Sequence, residues 1–150
     1  MTMTPKRLQR LVKHRERLER LQEQELAGAL RLYRRRQEAL TESLDNRHAL
    51  LALELTAGPL DIADAEAGMV YLRRVDREIL ARRAALLHSA NDVEEERAEL
   101  LARRRDRKAI EALRDRRLEE ERIERNRAQL RFIDELAATR WRSPTGGGNP

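Results

Sequence analysis

Histidine is the side chain best suited to act as a base or a metal ligand near neutral pH, and this sequence carries three, His14, His48 and His88. They lie far apart along the chain, and no cysteine is present to join them in a thiolate metal site, a nucleophilic dyad or a disulfide. No glycine-rich phosphate loop is present either. The histidines therefore read as helix-surface residues, and the sequence predicts no catalytic residue, no metal and no cofactor. The side chains with chemistry to offer are those that hold other proteins. Tyr71 and Val75, an aromatic and an aliphatic four residues apart, either broaden a core or form a docking patch. Leu130, Phe132, Ile133, Leu136 and Ala137, followed by Trp141, gather apolar surface just after the densely charged segment 103–127.

The elements that must position these residues are long helices. Asp, Glu, Lys and Arg make up 39% of the 150 residues and aromatics 3%, too few bulky side chains for a layered core. Hydrophobic residues still make up 40%, mostly Leu and Ala, so the chain is not a disordered polyelectrolyte. Thr4 before Pro5 is a helix start, since the hydroxyl caps free amides and proline loses nothing at the first helical position. Only Gly28 then weakens a helix over 5–55. Leu18, Ala29, Leu40 and Leu51 recur every eleven residues, as do Leu11, Gln22, Tyr33, Leu44 and Leu55, so the spacing predicts a nearly straight stripe with Gln22 as a tolerated polar member.

Thr56, Ala57, Gly58 and Pro59 end that helix in a turn over 56–60. Asp61, Asp64 and Glu66 suit the first turn of a second helix, 61–141, with Gly68 separating a short lead-in. Leu72, Ile79, Leu86, Val93 and Leu100 form a heptad, with Leu80, Leu87 and Leu101 expected to broaden its seam. Ser89, Asn91 and Asp92 before Glu94, Glu95 and Glu96 resemble a helix start, but the heptad crosses them in phase, which predicts continuity.

At 1.5 Å per residue the helices span roughly 75 Å and 120 Å, and a reversal at Gly58 and Pro59 pairs residues whose numbers sum to about 117. Leu44 then lies near Leu72, Leu18 near Leu100 and Leu8 near Ile110. The sequence thus predicts an all-α fold: a long antiparallel two-helix coiled-coil hairpin over 1–142, with an overhanging C-terminal helix of about thirty residues and a flexible tail over 143–150. Backbone ordering costs about 1 to 2 kcal/mol per residue, so the overhang is expected to fray unless bound.

The formal net charge is +5 and the pI about 10.3. Acids and bases interleave as on a solvated helix surface, and the base-stacking aromatics and groove-reading modules of nucleic-acid proteins are missing, so no nucleic acid is expected as a partner. Lys6, Arg7, Arg10, Lys13, Arg15, Arg17 and Arg20, with the segment 103–108, make the end away from the turn basic, a natural match for an acidic protein surface. No apolar block reaches the length of a membrane span, so membrane insertion is not expected and the protein reads as cytoplasmic.

The second helix resembles the FliJ family, the soluble stalk of the flagellar type III export apparatus. The likeness rests on Tyr71 and Leu72 where the helix begins, Ile79 and Leu86 within it, and three later runs. These are Ala112, Leu113, Arg114, Asp115, Arg116, Arg117; then Glu124, Arg125, Asn126, Arg127; then Ile133, Asp134, Glu135, Leu136, Ala137. The resemblance implies a non-enzymatic cytoplasmic protein, peripherally associated with the inner-membrane apparatus. It would insert into the hexameric export ATPase and contact the cytoplasmic domain of the export gate and the export chaperones. On that reading Leu130, Ile133, Asp134, Glu135 and Leu136 meet the ATPase, and Tyr71 and Val75 meet the gate. The alternatives are an equivalent stalk of a virulence secretion system and an unrelated coiled-coil adaptor or nucleoid-binding protein.

Overall fold

The computed structural model describes residues 3–56 and 61–142. Two helices account for them, α1 (Pro5–Thr56) and α2 (Ile62–Arg142), and no strand occurs among the described residues. Most of the expected turn, with Gly58 and Pro59, and the expected tail over 143–150 lie outside the described residues.

Both helices begin with the chemistry the sequence supplies. The Arg7 amide donates to Thr4 Oγ1 at 3.4 Å and the Leu8 amide to the Thr4 carbonyl at 3.0 Å, so Thr4 caps α1 and Pro5 opens it. In α2 the Ala65 amide donates to the Asp61 carbonyl at 3.0 Å, and Asp64 adds negative charge to the first turn. Gly68 marks no separate lead-in, because α2 runs through it without a break. The helix also continues through Ser89, Asn91 and Asp92, as the unbroken heptad predicts.

The chain divides into two units, Arg17–Arg104 and Met1–Glu16 with Arg105–Pro150. In the unit Arg17–Arg104, contacts run in opposite order along the two helices. Gln22 meets Glu96, Arg36 meets Ser89, Ser43 meets Arg82 and Arg47 meets Asp76. Leu72, Ile79, Leu86, Val93 and Leu100 are buried or half-buried, as the heptad predicts. They alternate with Val75, Arg82, Ser89 and Glu96, which are also seven apart and also packed.

On the corresponding face of α1 most of the expected stripe is packed: Leu18, Gln22, Ala29, Tyr33, Leu40 and Leu51 are buried or half-buried. Two seven-residue lines also run through its packed residues, Glu19, Leu26, Tyr33, Leu40 and Arg47 alternating with Gln22, Ala29, Arg36, Ser43 and Leu50. Leu44, expected in the eleven-residue stripe, is exposed. A helix packed along a heptad partner keeps contact only if it also presents 3.5 residues per turn, so α1 takes the period of α2 and accepts polar residues where leucine is missing. Leu80, Leu87 and Leu101 do not broaden the seam either. Each stands one residue beyond a seam position, about 100° round the helix, and all three are exposed.

In the other unit, Leu8 and Val12 are each 1% exposed. The residues of α2 that are half-buried there are Ile110 and the charged Arg107, Glu111, Arg114 and Arg117, long side chains of the kind that can bury an aliphatic stem and keep the charged end in water. Arg114 Nη1 donates to Gln9 Oε1 at 2.7 Å, and Arg15 lies 3.5 Å from Asp106. From Leu118 to Arg142 every residue is exposed.

Candidate partner-binding surfaces

The exposed end of α2 is built to be a helix before it is built to bind. Arg117 pairs with Glu120 at 3.1 Å, Arg122 with Glu119, and Arg131 with Glu124 at 3.5 Å, while Arg125 Nε donates to the Glu121 carbonyl at 3.4 Å. The hydrogen bond from Arg122 holds the Glu119 carboxyl below its usual range, and the same bond raises the Arg122 guanidinium. Thr139 Oγ1 donates to the Glu135 carbonyl at 2.7 Å, and Arg140 and Arg142 close the last turn with positive charge. The expected overhang is thus helical to its last residue.

On this scaffold Leu130, Phe132, Ile133 and Leu136 are all exposed, with Asp134 and Glu135 exposed between them. Their phase is informative. Ile123, Leu130 and Ala137 are seven apart, with Ile133 between the last two. The two seam lines, carried on along α2, would instead fall on Glu121, Ala128 and Glu135 and on Glu124, Arg131 and Ala138. The apolar stripe therefore sits about 150° round the helix from that phase. A groove lined by Ile133, Leu136, Ala137, Thr139 and Arg140 runs along it, and Trp141, 88% exposed, flanks a second one with Ala137 and Ala138. Trp141 does not pack down to close the helix end.

The second expected surface separates into two roles. Tyr71 is 48% exposed beside exposed Met69 and Val70, whereas Val75 is 4% exposed and belongs to the seam. The structure therefore does not bring Tyr71 and Val75 together as one outward patch. Met69 and Val70 were missed because hydrophobic counting alone does not distinguish them from core residues. Their signal is that they fall between the seam positions Gly68 and Leu72.

His14, His48 and His88 are exposed, and His88 Nε2 lies 3.6 Å from Asp92. No group of residues placed to hold a metal ion occurs among the described residues. Among them, too, no helix is long and apolar enough to cross a membrane. Part of the basic charge of segments 6–20 and 103–108 is balanced: Arg15 pairs with Asp106, and Arg104 with Glu19 at 3.2 Å and Glu23 at 3.6 Å.

Neither the curated proteins nor the solved structures contain a match to this chain. A family model, described as the flagellar FliJ protein, matches residues 4–146. That span takes in both helices and both exposed surfaces, so the chain belongs to the flagellar FliJ family.

Proposed function

We propose that this protein is the non-enzymatic stalk of the flagellar type III export apparatus, and that the exposed end of α2 enters the central hole of the hexameric export ATPase. Family membership makes it a flagellar export-related protein. The finer reading takes α1 and α2 as one antiparallel coiled-coil hairpin whose C-terminal helix overhangs its partner. The observation that carries it is the unbroken exposure from Leu118 to Arg142 in a segment that still contains Leu130, Ile133 and Leu136. Apolar side chains left in water at a regular helical spacing are suited to a protein partner. Asp134 and Glu135 would meet basic groups of the ATPase lining.

Tyr71 is the contact proposed for the cytoplasmic domain of the export gate, with Val75 seating the helix beneath it. The export chaperones are further proposed partners, and the site of action is the cytoplasmic face of the inner membrane. The purified protein is expected to co-migrate with the cognate export ATPase in gel filtration and to raise its rate of ATP hydrolysis. Failure of both would sink the ATPase half of the proposal. A Tyr71→Ala variant is expected to keep the ATPase and lose the gate domain in a pull-down, and retention of the gate would sink the other half.

A further inference from the structure

Two arginines cross the seam of the unit Arg17–Arg104, and each ends on the opposite helix in the same way. Arg36 Nη1 donates to the Ala85 carbonyl at 3.0 Å and to Ser89 Oγ at 2.7 Å. Arg82 Nη1 donates to the Ala39 carbonyl and to Ser43 Oγ. Both serines are 1% exposed. The sequence behind this is a repeat: Arg36, Ala39, Leu40 and Ser43 match Arg82, Ala85, Leu86 and Ser89 in type and spacing. Because the two segments run in opposite directions, the arginine of each motif reaches the serine of the other.

The chemistry needs both halves. A carbonyl within a helix keeps a second lone pair free for a guanidinium, and serine is small enough to let an arginine arm lie across the seam. An arginine tip held in the seam without acceptors is costly. Leucine layers alone tolerate sliding, since one leucine replaces another after seven residues. The arginines do not. A slip of one heptad, about 10 Å, would in one direction bring the arms of Arg36 and Arg82 against each other. In the other direction it would bring the arm of Arg82 to Leu50, which offers no acceptor, while that of Arg36 would reach Glu96, so this slip is opposed by Arg82 alone.

We infer that the paired Arg-x-x-Ala-Leu-x-x-Ser motifs are a register lock, which selects one setting of α1 against α2 and rejects shifted pairings, including those with a second copy of the chain. Polar seam residues are known to trade packing for this kind of selectivity.

The test exchanges the motif's two polar ends. R36S with S43R on α1 alone sets guanidinium against guanidinium and hydroxyl against hydroxyl. Adding R82S and S89R restores an arginine opposite each serine in the same register. The chain has no cysteine, so spin labels at E25C and E95C, both exposed positions, report the register directly. The α1 exchange is expected to lower the thermal midpoint by roughly 5 to 10 °C and to shift or broaden the label distance by up to about 10 Å. The fourfold exchange is expected to return both to wild type. An α1 exchange that changes neither quantity, or a fourfold exchange that recovers neither, overturns the lock. Should the α1 exchange unfold the protein, recovery in the fourfold variant decides alone. R36L with R82L is expected to remain helical while the distance splits into several populations; a single narrow distance there overturns the lock.

Discussion

Ile133→Asp separates binding from folding more cleanly than any other single change. Ile133 is 58% exposed, within a stretch whose residues are all exposed, so the substitution removes no buried contact. Surface changes of this kind move stability by about 0.5 kcal/mol or less, which for a chain of this size is a shift of roughly 1 to 2 °C in thermal midpoint. Binding is another matter. Full burial of an isoleucine contributes about 1.5 to 3 kcal/mol, and each 1.4 kcal/mol is about tenfold in affinity. A carboxylate in the same contact must also be desolvated. The Kd for the hexameric export ATPase is therefore expected to rise by about 100-fold or more, measured by calorimetry, while circular dichroism melting stays at the wild-type value. An unchanged Kd would refute the assignment of this face to the ATPase. A midpoint that drops by many degrees would refute the premise that Ile133 is free of internal packing.

Gly28→Ala is expected to stabilise the protein by about 1 kcal/mol in denaturant titration, because Gly28 lies inside α1 and an added Cβ would meet only the Arg31 guanidinium, at ordinary contact distance of 3.7 Å. Leu8→Ala is expected to cost about 2 to 4 kcal/mol by the same measurement and Leu80→Ala less than about 0.5 kcal/mol, since the first is buried and the second exposed. The Glu119 carboxyl, held down by its hydrogen bond from Arg122, should titrate below the usual carboxylate range in a carbon-detected NMR experiment and return to it in Arg122→Gln. As the folded-state value is the lower one, the bond's contribution is present above the ordinary carboxylate pKa and lost as pH falls through the depressed one.

The heptad of α2 was legible because one of its two seam lines is filled by Leu72, Ile79, Leu86, Val93 and Leu100 without interruption. The face of α1 was legible in part: Leu18, Gln22, Ala29, Tyr33, Leu40 and Leu51 are packed as the spacing predicts, whereas Glu19, Arg36 and Ser43 are seam residues that no count of apolar residues can find. Leu44, which lies off the seam, was drawn into the eleven-residue pattern. The period that wins is set by the partner helix, a tertiary effect. The repeat of arginine, alanine, leucine and serine was present to be read, but its meaning depends on which segments face each other. At the binding surfaces, the exposure of Leu130, Ile133 and Leu136 follows from α2 presenting no packed residue beyond Arg117, whereas the division of Tyr71 from Val75 turns on the roughly 40° of rotation between residues four apart, which composition does not encode.

The arginine–glutamate pairs along the exposed end of α2 are individually weak, as solvent-exposed ion pairs are. Their consequence lies in the kinetics of encounter. A partner that captures an already wound segment does not have to supply the entropy of winding it, so association can proceed as a docking step whose rate is set by diffusion and orientation. Such a segment can also let go and be caught again many times without refolding, as the proposed engagement by a cycling ATPase would require.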